Sequence, residues 1–368
     1  MLSALLLVLA CAPVLQNAGI GIAASLVALA ALCLVAVPYG VWPWWQRAVR
    51  GVRAPISAVL LYLSLILLFF AVYPALNANS LGLSSEADDM LNAAGAALFA
   101  GLYPFHYGTE SGLPISQFPG AVVLAAPLVA LGNAALLPLL ALPAFFLAQR
   151  TRGANSARAL LAMVLAFALL PQLLGATLNG DDLVGWSMLI YASAVLGLRS
   201  TSVYQQAIWG LATGVLLSSY LWLALVIPTL LAALARSSLR RVGVCAATLS
   251  LGFGALSLPW WLFDPAQFTP WLVQRGQFSY GLWLAMFGVA VTAALLIKQA
   301  RDFAWAGAWT FTAAELVVRG HACWLSGKLA MPSLQETSAA LVFAIAAWAM
   351  HETPGADSSA GLAVPQNQ

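Results

Sequence analysis

ISAVLLYLSLILLFFAVYPAL, Ile56 to Leu76, is the stretch on which the fold turns. It carries no charged side chain and has the length a helix needs to cross a hydrocarbon core. Backbone amides in lipid must pair within their own segment, so such a run is helical. A barrel strand would instead alternate polar and apolar residues. Three further runs, Ala159–Leu173, Val242–Phe263 and Leu282–Ile297, repeat the pattern.

The flanks of Ile56–Leu76 orient it. Before it stand Arg47, Arg50 and Arg53; after it come Glu86, Asp88, Asp89 and Glu110. The alternation continues along the chain. Asp181, Asp182 and Asp264 fall in loops on the acidic side, and Arg150, Arg152, Arg158, Arg199, Arg236, Arg240 and Arg241 on the other. Basic loops stay in the cytoplasm, so the carboxylates face outward. Composition agrees: 62% of the 368 residues are hydrophobic and 7% charged, with a mean hydropathy of +0.91. A soluble domain needs a more charged exterior. The net charge of +3 resides in loop arginines and gives no support for a nucleic-acid partner.

The reading is an all-α polytopic transmembrane bundle of about twelve crossings with both ends inside. Residues 1–350 form one membrane domain, and the polar tail 351–368 is a disordered cytoplasmic segment. Leu2–Leu15 and Ile20–Val41 are the first two crossings. Ala121–Gln149 is one span preceded by an interfacial or re-entrant piece. Tyr204–Leu234 is two short crossings broken near Ser218-Ser219-Tyr220, and Ser338–Met350 returns the chain after an outer loop, His321–Pro332. Cys11, Cys33, Cys245 and Cys323 show no metal-binding spacing and are expected as buried thiols.

The acids carry the chemistry. Ser84-Ser85-Glu86-Ala87-Asp88-Asp89 opens an Ala-rich stretch at helical spacing, predicting a short amphipathic helix on the membrane surface. Ser85 with Asp88 fits a capping box, and first-turn acids suit the helix dipole. Yet three crowded acids exceed what a cap requires. Crowding raises at least one pKa and suits general-base work at Asp88, with Asp89 in reserve. His106 is either a proton carrier or ligand, or incidental. Asp181-Asp182 either orients a substrate, joins Asp88 in holding a divalent cation, or sits solvated in a turn. Arg275, Arg319 and Lys328 are the outward cations in this topology that could bind an anionic substrate, Arg275 first. Glu315 and Arg319, one helical turn apart, fit a salt bridge. Pro259-Trp260-Trp261 fits an interfacial aromatic belt better than a sugar platform.

Asp88, Gly101, Pro104, Phe105, Pro119 and Gly120, in that order, resemble the first outer loop of GT-C-fold membrane glycosyltransferases, most closely the glycosyltransferase family 87 type. Asn179-Gly180-Asp181-Asp182, Leu216–Ser219 and Asp264–Pro270 extend the resemblance over roughly residues 55–300. It implies a polyprenyl-phosphate-sugar donor, a lipid or glycan acceptor and inverting transfer at the outer face of a bacterial inner membrane. Asp88 aligns with the base. Many relatives have a Lys or Arg where this chain has Ser218-Ser219-Tyr220. The rival reading is a flippase or transporter of lipid-linked sugars, which would favour internal repeats and midplane ions.

Overall fold

The computed structural model describes residues 54–77, 86–109, 111–151, 171–277, 279–299, 302–326 and 334–349. Among them every regular element is helical, as the sequence predicts. The helices are α1 (Ala54–Asn77), α2 (Ala87–Phe99), α3 (Pro119–Ala130), α4 (Leu137–Thr151), α5 (Pro171–Leu178), α6 (Asp182–Arg199), α7 (Val203–Leu217), α8 (Ile227–Ala235), α9 (Leu239–Phe263), α10 (Thr269–Gln277), α11 (Tyr280–Leu295), α12 (Phe303–Ser326) and α13 (Leu334–Ala349). Short 3₁₀ turns at Pro104–His106, Ala134–Leu136 and Leu221–Val226 link them. The expected crossings before residue 42 and the tail 351–368 lie outside the described residues.

Among the described residues one helix, the 25-residue α9, is long and apolar enough to cross a membrane by itself. The segments Pro119–Ala130 and Ala134–Arg150 together reach that length but bend by 102° between them. The expected division of Ala121–Gln149 into two pieces appears as this bend, and Gly132 at φ 117 makes the corner. The expected break in Tyr204–Leu234 also appears: α7 ends at Leu217, and a 3₁₀ turn leads into α8.

Two stretches differ from expectation. α12 runs on to Ser326, so the expected outer loop His321–Pro332 begins as helix. Ala322, Cys323, Trp324 and Leu325 hold no breaker after Gly320, and a helix tolerates one glycine. α10 occupies what the sequence suggested was a loop, opened by Thr269-Pro270 with proline in the first turn.

α7 packs along α9, α4 along α6 and α12 along α13. Small residues set the first of these seams. A Cβ on Gly214 would lie 2.0 Å from the Leu249 carbonyl oxygen, and one on Gly252 would lie 2.4 Å from that of Leu211. Glycine therefore lets the two backbones touch. Arg241 locks the same region, its guanidinium donating to the carbonyls of Gly197, Leu198 and Ser200 at the end of α6 and to Gln206 Oε1 on α7. A cation over helix-terminal carbonyls is well placed against the helix dipole. In the core Tyr191 meets Phe145 and Phe343 at ring distances of 5.4 and 5.5 Å.

The outside of the bundle is apolar. Val59, Leu63, Leu67 and Phe70 on α1, Leu251, Leu258 and Leu262 on α9, and Leu284, Phe287, Val291 and Leu295 on α11 are exposed stripes at helical spacing.

Candidate active site

Three acidic side chains from two separate loops are buried together. Asp88 is 0% exposed, and Asp181 and Asp182 are each 1% exposed. Asp88 Cγ lies 3.2 Å from the place a Cβ on Gly180 would take, so the 179–182 turn backs directly onto it.

Asp88 sits in the first turn of α2, where the sequence put it, at the second helical position and not at the N-cap. The N-cap residue is Glu86, which makes no side-chain capping bond; its carboxylate accepts from Ser111 Oγ at 2.8 Å. Ser85, the expected capping partner, lies outside the described residues. Asp88 turns inward and accepts the Tyr73 hydroxyl proton on Oδ2, while its Oδ1 is buried with no hydrogen-bond partner among the described residues. Asn133 Nδ2 donates to Tyr73 Oη at 2.7 Å. Its Oδ1 accepts from Ala135 N at 2.9 Å and from Asn92 Nδ2 at 3.1 Å. The α3–α4 corner therefore fixes both α2 and the end of α1.

The second loop is built for its turn. Gly180 adopts φ 79, which side chains rarely take, and Asp181 caps α6 by accepting from Leu183 N at 3.0 Å. Asp182 accepts from Trp186 Nε1 at 3.3 Å and from the Tyr220 hydroxyl, 2.9 Å from Oδ1. The alternative that this pair sits solvated in a turn is corrected: both are buried, with Gly180 packed against Ala135 and Asp88.

Tyr220 arrives through the helix break. Phe118 N donates to Ser219 O and Gly120 N to Ser218 O, each at 3.0 Å, so the start of α3 satisfies the carbonyls that the break frees. A Cβ on Gly120 would sit 2.0 Å from Ser218 Oγ, so only glycine permits this docking. In place of a cation, this segment brings a phenol to Asp182.

Burial dominates the electrostatics. It pushes Asp88 up to about 7, with the nearby Asp89 charge adding and the Tyr73 hydrogen bond opposing. Burial also pushes Asp181 up to about 7, opposed by the Leu183 amide and reinforced by Asp88. Both carboxyls therefore exchange protons near neutrality.

The remaining candidates separate. Asp89 is exposed on the same first turn. His106 Nε2 lies 2.9 Å from Asp264 Oδ2, a partly exposed pair, and this hydrogen bond holds Asp264 below its ordinary range. Beside it Tyr103 donates to the Trp260 carbonyl at 2.8 Å and stacks on Phe263, so Trp260 is a packing residue. Arg275 lies on α10 and Arg319 on α12, while Lys328 falls outside the described residues. Cys245 is a buried free thiol.

A divalent cation, which the sequence left open, would compete with hydrogen bonds already made to these carboxylates. Asp88 Oδ2, Asp181 Oδ1 and both Asp182 oxygens already receive donated protons. No three His, Cys, Asp or Glu groups stand at cation-holding spacing among the described residues.

Sequence reading missed Tyr73, Gln117, Asn133 and Tyr220. Asn133 and Tyr220 had a signal, since each sits at a polar or glycine-marked interruption of an apolar run. No family model, curated protein or solved structure matches the chain.

Proposed function

We propose that the chain is a multi-pass glycosyltransferase of the bacterial plasma membrane, with its active face outside. It would move a sugar from a polyprenyl-phosphate donor to a lipid or glycan hydroxyl. The observation that carries the reading is Asp88: one carboxylate oxygen held by Tyr73, the other buried without a hydrogen-bond partner among the described residues, on a carboxyl that burial pushes up to about 7. Such a group is ready to take a proton at the pH where it works.

In the proposed step the acceptor O–H gives its proton to Asp88 Oδ1 as its oxygen bonds the anomeric carbon. The bond from that carbon to the phosphate oxygen breaks, and the lipid phosphate leaves with the electron pair, inverting the centre. The proton then passes outward, with Asp181 nearby as a second acceptor. Arg275, Arg319 and Lys328 are the cations proposed to face the leaving phosphate, and Asp89 would sustain the field around Asp88. Support for the many crossings comes from the exposed apolar stripes of α1, α9 and α11 and from the segregation of arginines and acids.

The sealed burial of Asp181 and Asp182 favours a second reading, a proton-coupled flippase of lipid-linked sugars. Purified protein in proteoliposomes with labelled polyprenyl-phosphate sugars separates the two. A transferase makes a new glycosidic bond on an added acceptor lipid or oligosaccharide. Movement of intact donor across the bilayer without that bond would reject it.

A further inference from the structure

A cavity that the buried carboxylates do not use lies where α11 ends and α12 begins. Its volume is about 210 Å³. Ala293, Leu296 and Ile297 line one side, and Asp302, Trp305 and Trp309 the other. Leu296 and Trp309 are 72% and 45% exposed, so the cavity opens at the surface.

Asp302, Trp305 and Trp309 recur at helical spacing and share one face. The chain itself fixes the carboxylate: Oδ2 accepts from Lys298 N at 2.9 Å and from Gln299 N at 2.8 Å. Among the described residues nothing donates to Oδ1, and no lysine or arginine nitrogen lies within salt-bridge reach of either oxygen. Lys298, whose amide holds the carboxylate, is exposed on the same turn.

These features select an occupant. A carboxylate beside two indoles attracts a cationic head, through its charge and through the ring quadrupoles. A wholly apolar guest would cover the carboxylate without pairing it, and a lone anion would be repelled. From this end of α11 the exposed side chains of Leu295, Val291, Phe287 and Leu284 continue as an apolar track. A molecule that follows the track carries hydrocarbon as well as an ammonium. Lys298 adds a place for a phosphodiester. Ammonium, phosphodiester and acyl chain together describe a zwitterionic phospholipid.

We propose that this cavity binds the headgroup of a phospholipid of the phosphatidylethanolamine class. Its ammonium lies against Asp302, Trp305 and Trp309, its phosphate faces Lys298, and its chains follow α11. The site goes beyond the transferase reading: it needs these two helices at a bilayer and needs no sugar transfer.

The test is native mass spectrometry of the full chain, delipidated in detergent and titrated with dioleoyl phosphatidylethanolamine or, as the anionic comparison, dioleoyl phosphatidylglycerol. Wild type is expected to retain one phosphatidylethanolamine at least about tenfold more tightly than phosphatidylglycerol. Asp302→Asn keeps an oxygen for the two amides and removes the charge. It and Trp305→Leu are each expected to weaken phosphatidylethanolamine about tenfold and to leave phosphatidylglycerol within about twofold. Asp264→Asn, at an acid on another loop, is expected to match wild type. Equal retention of the two lipids would overturn the proposal, as would no retained lipid or wild-type affinity in Asp302→Asn. Where Asp302→Asn is not monodisperse, wild-type affinity in Trp305→Leu rejects the site by itself. A dimer of the delipidated protein that Trp309→Ala dissolves would give the cavity to a second copy instead. Sugar-transfer assays report separately. Lipid selectivity without transfer keeps this site and rejects the transferase, and transfer without lipid selectivity does the reverse.

Discussion

The Tyr73 hydroxyl at the end of α1 donates its proton to Oδ2 of Asp88 in the first turn of α2. One bond thus ties the first described apolar helix to α2 and fixes which carboxylate oxygen is left over. Asn133 donates to the same hydroxyl, so Tyr73 is itself held.

Tyr73→Phe removes the contact that opposes the rise in the Asp88 pKa. The alkaline-going limb of the transfer rate is expected to move to higher pH, and the buried Asp88 and Asn133 groups lose a partner at a cost of about 1–3 kcal/mol. Rate against pH checks the first effect and thermal unfolding in detergent the second. A profile unmoved by the substitution would show that Tyr73 does not set the titration of Asp88.

Stability should fall as pH rises from about 4 to about 7, which follows from the raised pKa of Asp88. Across that window the folded protein binds more protons at this carboxyl than the unfolded chain does, so raising the pH favours unfolding. Above about pH 7 the buried charge carries its full cost, and below about pH 4 the cost is gone. Asp88→Asn is therefore expected to stabilise the protein at about pH 8, by up to about 4 kcal/mol, and to change little at about pH 4. Unfolding midpoints of both proteins at the two pH values measure it.

Gly180→Ala places a Cβ 2.6 Å from that of Ala135 at φ 79, a conformation alanine takes with strain. The turn must shift, carrying Asp181 and Asp182 with it. The expected result is at least about a tenfold loss of transfer with a destabilisation of about 1–3 kcal/mol. Gly214→Ala at the α7–α9 seam should destabilise by a similar amount and leave the pH profile of transfer in place.

His106→Gln breaks the pair with Asp264 at a partly exposed position away from the buried carboxylates. Transfer is expected to stay within about twofold of wild type, since exposed ion pairs contribute little. A large loss of kcat would return His106 to the chemistry.

Sidedness has its own check. In a chain with its native cysteines replaced, Leu113→Cys and Ser237→Cys are both exposed positions, one beside the acidic loops and one beside the arginines. An impermeant thiol reagent applied to intact cells should label the first and not the second.

Much of the frame was legible because its signals are local. The length of Ile56–Leu76 fixes α1, and Ala-rich spacing after Asp88 marks α2. Gly180 with two acids marks the turn into α6, and Ser218-Ser219 marks the break. The site itself was legible only in part. Nothing local to Asp88 says that it is buried; that depends on Gly180 and Ala135 arriving from elsewhere in the chain. Tyr73 looks like one more interfacial aromatic and Gln117 like a turn residue until the fold carries them to Asp88 and to the Ala87 carbonyl. The continuation of α12 through Arg319 and His321 escaped because charge there suggested a loop, although no residue stops the helix.

The most direct test of the base assignment is the turnover of wild type and Asp88→Asn with the same labelled polyprenyl-phosphate sugar across about pH 5 to 9. A general base at this position is expected to give a wild-type rate that climbs through about pH 7 and a variant slower by about a hundredfold or more at every pH. An Asp88→Asn protein that transfers sugar at the wild-type rate would contradict it.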